Sequence, residues 1–188
     1  MLNNAVQQFL NQAGCFSEEF KSELELLVHE QFYRNKQIVQ ASGQVESNTY
    51  LIESGFVRGY YYDHKGNEHT LKFWGPGDLI FSYEGFYKVP SHYYIEFMDE
   101  SKAYVLSYED LIHLQKSHTD ALSVIKYAML KDRREEHERE AILALPANER
   151  YRRLLNHKHT IFQKSPAKYI ASYLNMSRET LARLMGKP

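Results

Sequence analysis

The sequence predicts an α+β protein: helices, then a β-sandwich or barrel, then one long helix, then a small basic helical unit. Three observations carry this expectation. Between Tyr50 and Tyr108 lie ten Tyr, five Phe and one Trp, cut by breaks rich in Gly, Pro and Asp. The stretch Thr119–Leu145 holds neither Gly nor Pro. Residues 146–188 carry nine Lys/Arg against Glu149 and Glu179, a net of +7, while residues 1–145 carry −8.

The elements follow in order. Leu2–Gln12 and Ser17–Val28 are amphipathic helices. Ser17 is an N-cap for the second, which places Phe20, Leu24, Leu27 and Val28 on one face. Asn48–Glu53, Phe56–Tyr62, Glu68–Trp74, Tyr93–Met98 and Lys102–Ser107 read as strands. The second and third form a hairpin, with Gly66 supplying positive φ in the turn. Tyr108–Gln115 is a short helix. Thr119–Leu145 is a helix of about 40 Å at 1.5 Å per residue, too long for one small domain. Its apolar positions Leu122, Ile125 and Met129 step by three and four, as in a seam shared by two helices. Its charged middle, Lys131–Glu140, reads as a solvated face.

Composition excludes several classes. With 188 residues, 43% hydrophobic and 25% charged, the chain is globular, not disordered or fibrous. No apolar run approaches the ~20 residues that span a bilayer. Met1–Val6 has no basic segment of the secretory type, so a cytoplasmic protein is expected, with no membrane partner. One cysteine, Cys15, excludes an internal disulfide and any all-cysteine metal site within one chain.

The last forty residues fit a helix-turn-helix template. Ala171 is the small residue at the helix contact, and Asn175 tolerates αL in the turn. Ile170, Leu174, Met176, Leu181 and Leu184 are the apolar locks. Pro166 starts the first helix and Ser177 caps the second. The +7 charge points independently to a polyanion.

With these residues in place, the sequence resembles the Crp–Fnr transcription regulators over essentially its whole length. The likeness rests on Gly43-Gln44-Val45, on Tyr50 to Arg58, on Gly66-Asn67-Glu68 and on Gly75-Pro76-Gly77-Asp78-Leu79-Ile80. Further along it rests on Glu149-Arg150-Tyr151, Tyr169 to Leu174 and Met176 to Arg183. The resemblance implies a cyclic-nucleotide-binding-like β-roll (jelly-roll) sensor over residues 1–117, with flanking helices. A long dimerisation helix over 118–145 and a winged-type helix-turn-helix domain over 146–188 would follow. It implies a homodimer with Leu122, Ile125 and Met129 in the seam, double-stranded DNA with a near-palindromic site, and RNA polymerase as partners.

The expected base contacts are Arg178, Glu179 and Arg183, from the first turn and outer face of the second helix. Ser-Arg-Glu-Thr followed by Arg183 is similar to the recognition helix of cyclic AMP receptor proteins, which implies a half-site related to TGTGA. Backbone contacts are expected from Ser165, Lys168, Tyr169, Ser177, Thr180 and Lys187.

The effector chemistry departs from the family. Where cyclic-AMP-binding members carry Gly-Glu, this chain reads Phe81-Ser82. The phosphate-binding Arg falls at Ser91 or His92, and no Lys or Arg lies between Lys88 and Lys102. Read as an offset version, Tyr83-Glu84-Gly85 would still lack that cation. An unpaired buried phosphate is costly, so cyclic AMP is not expected to bind in the usual mode, and no cofactor is expected. The roll would hold another small-molecule effector among Tyr50, Phe73, Phe81, Ser82, Tyr83, His92 and Tyr94, or those rings are core and the regulator is constitutive.

Two alternatives differ in class. A cupin-like metal enzyme would need ligands such as His64, Glu68 and His69, but the two histidines flank a turn. His157-Lys158-His159 lies outside the roll. No catalytic constellation stands out, so no enzyme and no metal site are expected. A cyclic-nucleotide-binding module without DNA binding would leave the helix-turn-helix spacing unexplained.

Overall fold

The computed structural model describes residues 3–186. Two capped helices open the chain: α1 (Asn4–Ala13) and α2 (Glu18–Leu27). Ser17 Oγ accepts from the Phe20 amide, as an N-cap should. It also donates to Asp120 Oδ2 at 2.5 Å, which ties α2 to a helix a hundred residues later.

Eight strands follow: β1 (His29–Tyr33), β2 (Gln37–Gln40), β3 (Asn48–Ser54), β4 (Val57–Tyr62), β5 (Glu68–Trp74), β6 (Leu79–Ile80), β7 (Tyr94–Phe97) and β8 (Ser101–Ser107). They form two four-stranded antiparallel sheets, ordered β1-β8-β3-β6 and β2-β7-β4-β5. Ile52, Val57, Ile95, Phe97 and Val105 fill the space between them, and Tyr33 stacks on Phe97 at 4.0 Å. The five expected strands are present within one residue at each end. Strands β1, β2 and β6 lie outside that expectation. Four of the five β1 residues are exposed, so β1 shows no in–out alternation, and β2 and β6 are very short.

Two glycines are required by geometry. Gly66 has φ +81 in the β4–β5 turn, where Asp63 Oδ1 accepts from the Lys65 and Asn67 amides. At Gly55, φ +104, a Cβ would sit 1.9 Å from Ser101 Oγ.

The remaining helices are α3 (Tyr83–Phe86), α4 (Tyr108–Ser117), α5 (Asp120–Leu143), α6 (Ala147–His157), α7 (His159–Lys164), α8 (Ala167–Tyr173) and α9 (Arg178–Met185). Among the described residues no strand follows β8, so the expected wings are not present there. The segment between α6 and α8 is the short helix α7 instead.

Helices α1, α2, α4 and the first half of α5 share a core with the β1-β8-β3-β6 sheet. This overturns part of the expected seam. Ile125, only 6% exposed, points into its own chain beside Phe9, Leu111 and Leu114, and Met129 packs half-buried on the same core. Leu122 and Leu130, at 49% and 48%, are the exposed apolar residues of α5. A seven-residue step from 122 to 129 drifts around a straight helix, and the intrachain core takes the inner part of the stripe. The charged middle is also not a free face: Lys131, Asp132, Glu135, Glu136 and Arg139 are half-buried.

A third cluster joins the C-terminal helices to the roll. Leu154, Ile161, Ile170, Leu174 and Leu181 pack together with Ile142 from α5 and with Phe56 and Phe73 from the sheet.

Ile125→Ala removes core methyl groups and should cost about 2–4 kcal/mol of stability in urea unfolding. Sedimentation should show the same oligomeric state as wild type, because the side chain faces inward.

Candidate nucleic-acid interface and sensor cavity

Helices α8 and α9 meet through a short turn whose residues have defined tasks. Ala171 is buried at their contact, and its carbonyl accepts from the Met176 amide at 3.0 Å. Asn175 takes φ +50, the αL conformation a side-chain amide tolerates. Arg150 on α6 donates from Nη1 to the carbonyls of Leu174 (2.7 Å) and Asn175 (3.0 Å), which satisfies acceptors left open at the end of α8. Ser177 Oγ accepts from the Thr180 amide at 3.1 Å, an N-cap on α9. Leu181 is fully buried and Leu184 half-buried, so the inner face of α9 is fixed.

The outer face of α9 is open. Arg178, Glu179, Ala182 and Arg183 are exposed. Among the described residues no ion pair joins Glu179 to Arg183 or to any other group. The Glu179 carboxyl is held below its usual range by its own backbone N–H and by Ser177.

The expected backbone contacts divide. Lys168 is exposed, with its ammonium 4.4 Å from the Tyr169 ring centre. Thr180 is half-buried beside the cap, and the Ser177 hydroxyl is committed to it. Tyr169 is half-buried, its ring 3.6 Å from the Arg58 guanidinium. Ser165 is buried and its hydroxyl is unpartnered, so it is not available at this surface; it sits beneath the start of α8, behind Pro166. Lys187 lies outside the described residues.

Helix α8 is seated on strand β5. The Thr70 amide donates to Ser172 Oγ at 2.9 Å, and the Phe73 and Tyr173 rings are 5.3 Å apart. Arg139 on α5 donates from Nη2 to the carbonyls of Thr70 and Tyr173. Below Tyr169, buried Arg58 donates from Nη1 and Nη2 to both oxygens of Glu68, and from Nε to Glu96 at 2.6 Å.

Between β5, α3 and α5 lies a cavity of about 310 Å³. Of the expected effector residues, Phe73, Phe81, Tyr83 and His92 line it. Ser82 stands next to it and caps α3, accepting from the Gly85 amide. Tyr50 does not reach it: the ring is core and its hydroxyl donates to buried Glu46 at 2.9 Å. Tyr94 stacks on Tyr60, 5.1 Å away on the other face of the sheet, and is not part of the cavity. The wall missing from the sequence reading is α5: Asp132, Glu135, Glu136 and Arg139. Their spacing of three, one and three was the available signal, because it places four charges on one helix face. Lys72 pairs with Asp132 and, at 3.2 Å, with Glu136. Burial pushes the carboxyls of Asp132 and Glu135 upward.

The candidate metal ligands stay apart. His69 Nε2 is 3.0 Å from Asp63 Oδ2, and no group of three His, Cys, Asp or Glu among the described residues could hold a metal ion. No described helix is long and apolar enough to cross a membrane.

Residues 30–118 match the cyclic nucleotide-binding domain family. Solved structures match over most of the chain. FixK2 from Bradyrhizobium japonicum aligns with a TM-score of 0.73 at 18% identity, covering 84% of this chain and 82% of its own. The c-di-GMP-responsive global regulator CLP of Xanthomonas campestris aligns at 0.67 and 19%, covering 90% of each chain. A crp/fnr-family protein from Eubacterium rectale aligns at 0.71 and 17%, covering 90% and 82%. The chain has the Crp–Fnr fold. A comparison with curated proteins found no match. The residues matched to the cyclic nucleotide-binding domain family take in the two sheets together with α3 and α4.

Arg58→Ala would leave Glu68 and Glu96 facing each other without their shared cation. Stability in denaturant unfolding should fall by about 3–5 kcal/mol. Arg58→Lys should recover only part of that, because an ammonium cannot serve both carboxylates bidentately.

Proposed function

We propose that this chain is a sequence-specific DNA-binding transcription regulator of the Crp–Fnr type, working as a homodimer and without enzymatic activity. The observation that carries the reading is the open face of α9: Arg178, Glu179 and Arg183, exposed and without ion-pair partners, on a capped helix within a +7 segment. On this reading residues 1–117 are the sensor, 118–145 the dimerisation helix and 146–188 the DNA-binding unit.

The chemistry follows from the residue types. Arg178 and Arg183 present planar forks suited to guanine O6 and N7, and Glu179 accepts from a cytosine amine. The positive end of α9, with Lys168 and Thr180, favours phosphate nearby, and Lys187 is a further expected phosphate contact. The resemblance to the recognition helix of cyclic AMP receptor proteins implies a half-site related to TGTGA, and two half-sites would lie about 34 Å apart on one face of the duplex. RNA polymerase is the expected partner of the bound dimer by family likeness. The cytoplasm is the expected compartment.

The dimer seam is proposed for the outer side of α5, at Leu122 and Leu130 with Met129 at its edge. Leu122 and Leu130 are the large apolar side chains of α5 that the intrachain core leaves exposed, and Met129 is partly covered by it. Leu130→Asp should convert dimer to monomer in sedimentation at micromolar concentration, because a desolvated carboxylate would face its twin. Persistence of the dimer would move the seam elsewhere.

The deciding experiment is selection from random duplex DNA by the purified protein, followed by a single-substitution panel of the selected site. Glu179→Ala should weaken binding to the preferred site by ~1–3 kcal/mol and relax discrimination at one base pair per half-site. An unchanged preference at every position would leave Glu179 outside the interface. No preference for any duplex at low salt would remove the reading altogether.

A further inference from the structure

The cavity has a sided chemistry that a phosphate ligand does not match. One wall, on α5, carries Asp132, Glu135, Glu136 and Glu140, with Glu84 at the mouth. The cations that reach it are Lys72, Arg139 and Lys158. Five carboxylates face these three cations, although the Arg139 Nε is buried without a partner and Lys158 is a cation acting on Glu135. Lys72 is shared between two carboxylates, and Arg139 donates to two backbone carbonyls. His92 Nδ1 stands 3.0 Å from Glu84. The Glu135 carboxylate, half-buried, makes no ion pair or hydrogen bond with any described residue. A desolvated carboxylate in that position favours a cation.

The opposite wall is aromatic: Phe73, Phe81, Tyr93 and Tyr173. Tyr173 is 6% exposed, lines the cavity, and its hydroxyl has no hydrogen-bond partner. The hydroxyl is not among the fully buried polar atoms, so it is open to whatever fills the space, water or ligand. Ring faces and carboxylates together suit an ammonium attached to an apolar body.

We propose that this cavity binds an amphipathic organic cation, an amine with an aromatic or similarly apolar body. Its ammonium sits at Glu135, its body lies against Phe73 and Tyr93, and its polar edge meets the Tyr173 hydroxyl. Tyr173 belongs to α8, so the ligand touches the proposed DNA-binding unit directly. That regulatory consequence rests on the reading above; the binding itself does not.

The test is calorimetric titration of the full chain with phenethylamine. Phenylacetate, a body of the same size with the opposite charge, and cyclic AMP are the comparison ligands. Phenethylamine should bind saturably, with a Kd of about 1 mM or tighter, and Glu135→Gln should weaken it about tenfold. Glu135→Lys, checked for a native unfolding transition, should reverse the preference toward phenylacetate. Absence of saturable amine binding, equal or tighter binding of either anion to the wild type, or an unchanged amine affinity in Glu135→Gln would overturn the proposal. DNA binding measured on the same preparation without amine keeps the two readings apart. Amine binding without DNA binding would support the cavity and remove the regulator reading. DNA binding without amine binding would do the reverse.

Discussion

Strand β5 is the edge of its sheet, and helix α8 covers that edge. An uncovered edge strand offers unpaired N–H and C=O groups to any passing chain. At Thr70 side chains satisfy both groups: the amide finds Ser172 Oγ, and the carbonyl accepts from Arg139. Two aromatic contacts on the same helix, Tyr169 on Arg58 and Tyr173 against Phe73, hold it flat on the sheet. Arg150 then fixes the turn that follows, and the turn fixes α9. The orientation of the outward-facing arginines therefore depends on how one short helix sits on one strand.

Helix α5 serves both parts of the molecule. Its first half is apolar inward and belongs to the core of α1, α2 and α4. Its second half presents charge to the cavity and reaches past it, through Arg139, to both β5 and α8. A change in what fills the cavity would act on the same side chains that seat α8. Arg139 and Tyr173 line the cavity and stand at the junction of α5, α8 and β5 at once, so a link between the cavity and α8 needs no long path.

The sequence was most readable where local physics decides. The β4–β5 hairpin followed from Gly66 between aromatic runs, and the α8–α9 turn from Asn175 and Ser177. In each case one backbone conformation or one cap determines the outcome. It was least readable where partners are distant in the chain. Ile125 carries the same apolar signal whether it meets a second chain or Phe9 of its own. The charged run 131–140 looks like a solvated face until β5 and α3 are placed against it. Tyr94 is a strand aromatic like Phe73, and the pleat of their sheet decides which reaches the cavity, whereas Tyr50 lies on the other sheet and fills the core between them. Ser165 and Lys168 lie three residues apart, and tertiary packing buries the first and leaves the second exposed.

The seating of α8 is open to one direct measurement: residue-resolved amide hydrogen exchange at Thr70. If Ser172 Oγ holds that N–H, its exchange should be slow in the intact protein, like that of an interior ladder bond, and should speed up strongly in Ser172→Ala while neighbouring amides hydrogen-bonded to β4 stay protected. A Thr70 amide that exchanges in the wild-type protein as fast as an open edge amide would contradict the account, because α8 would then not be covering the strand.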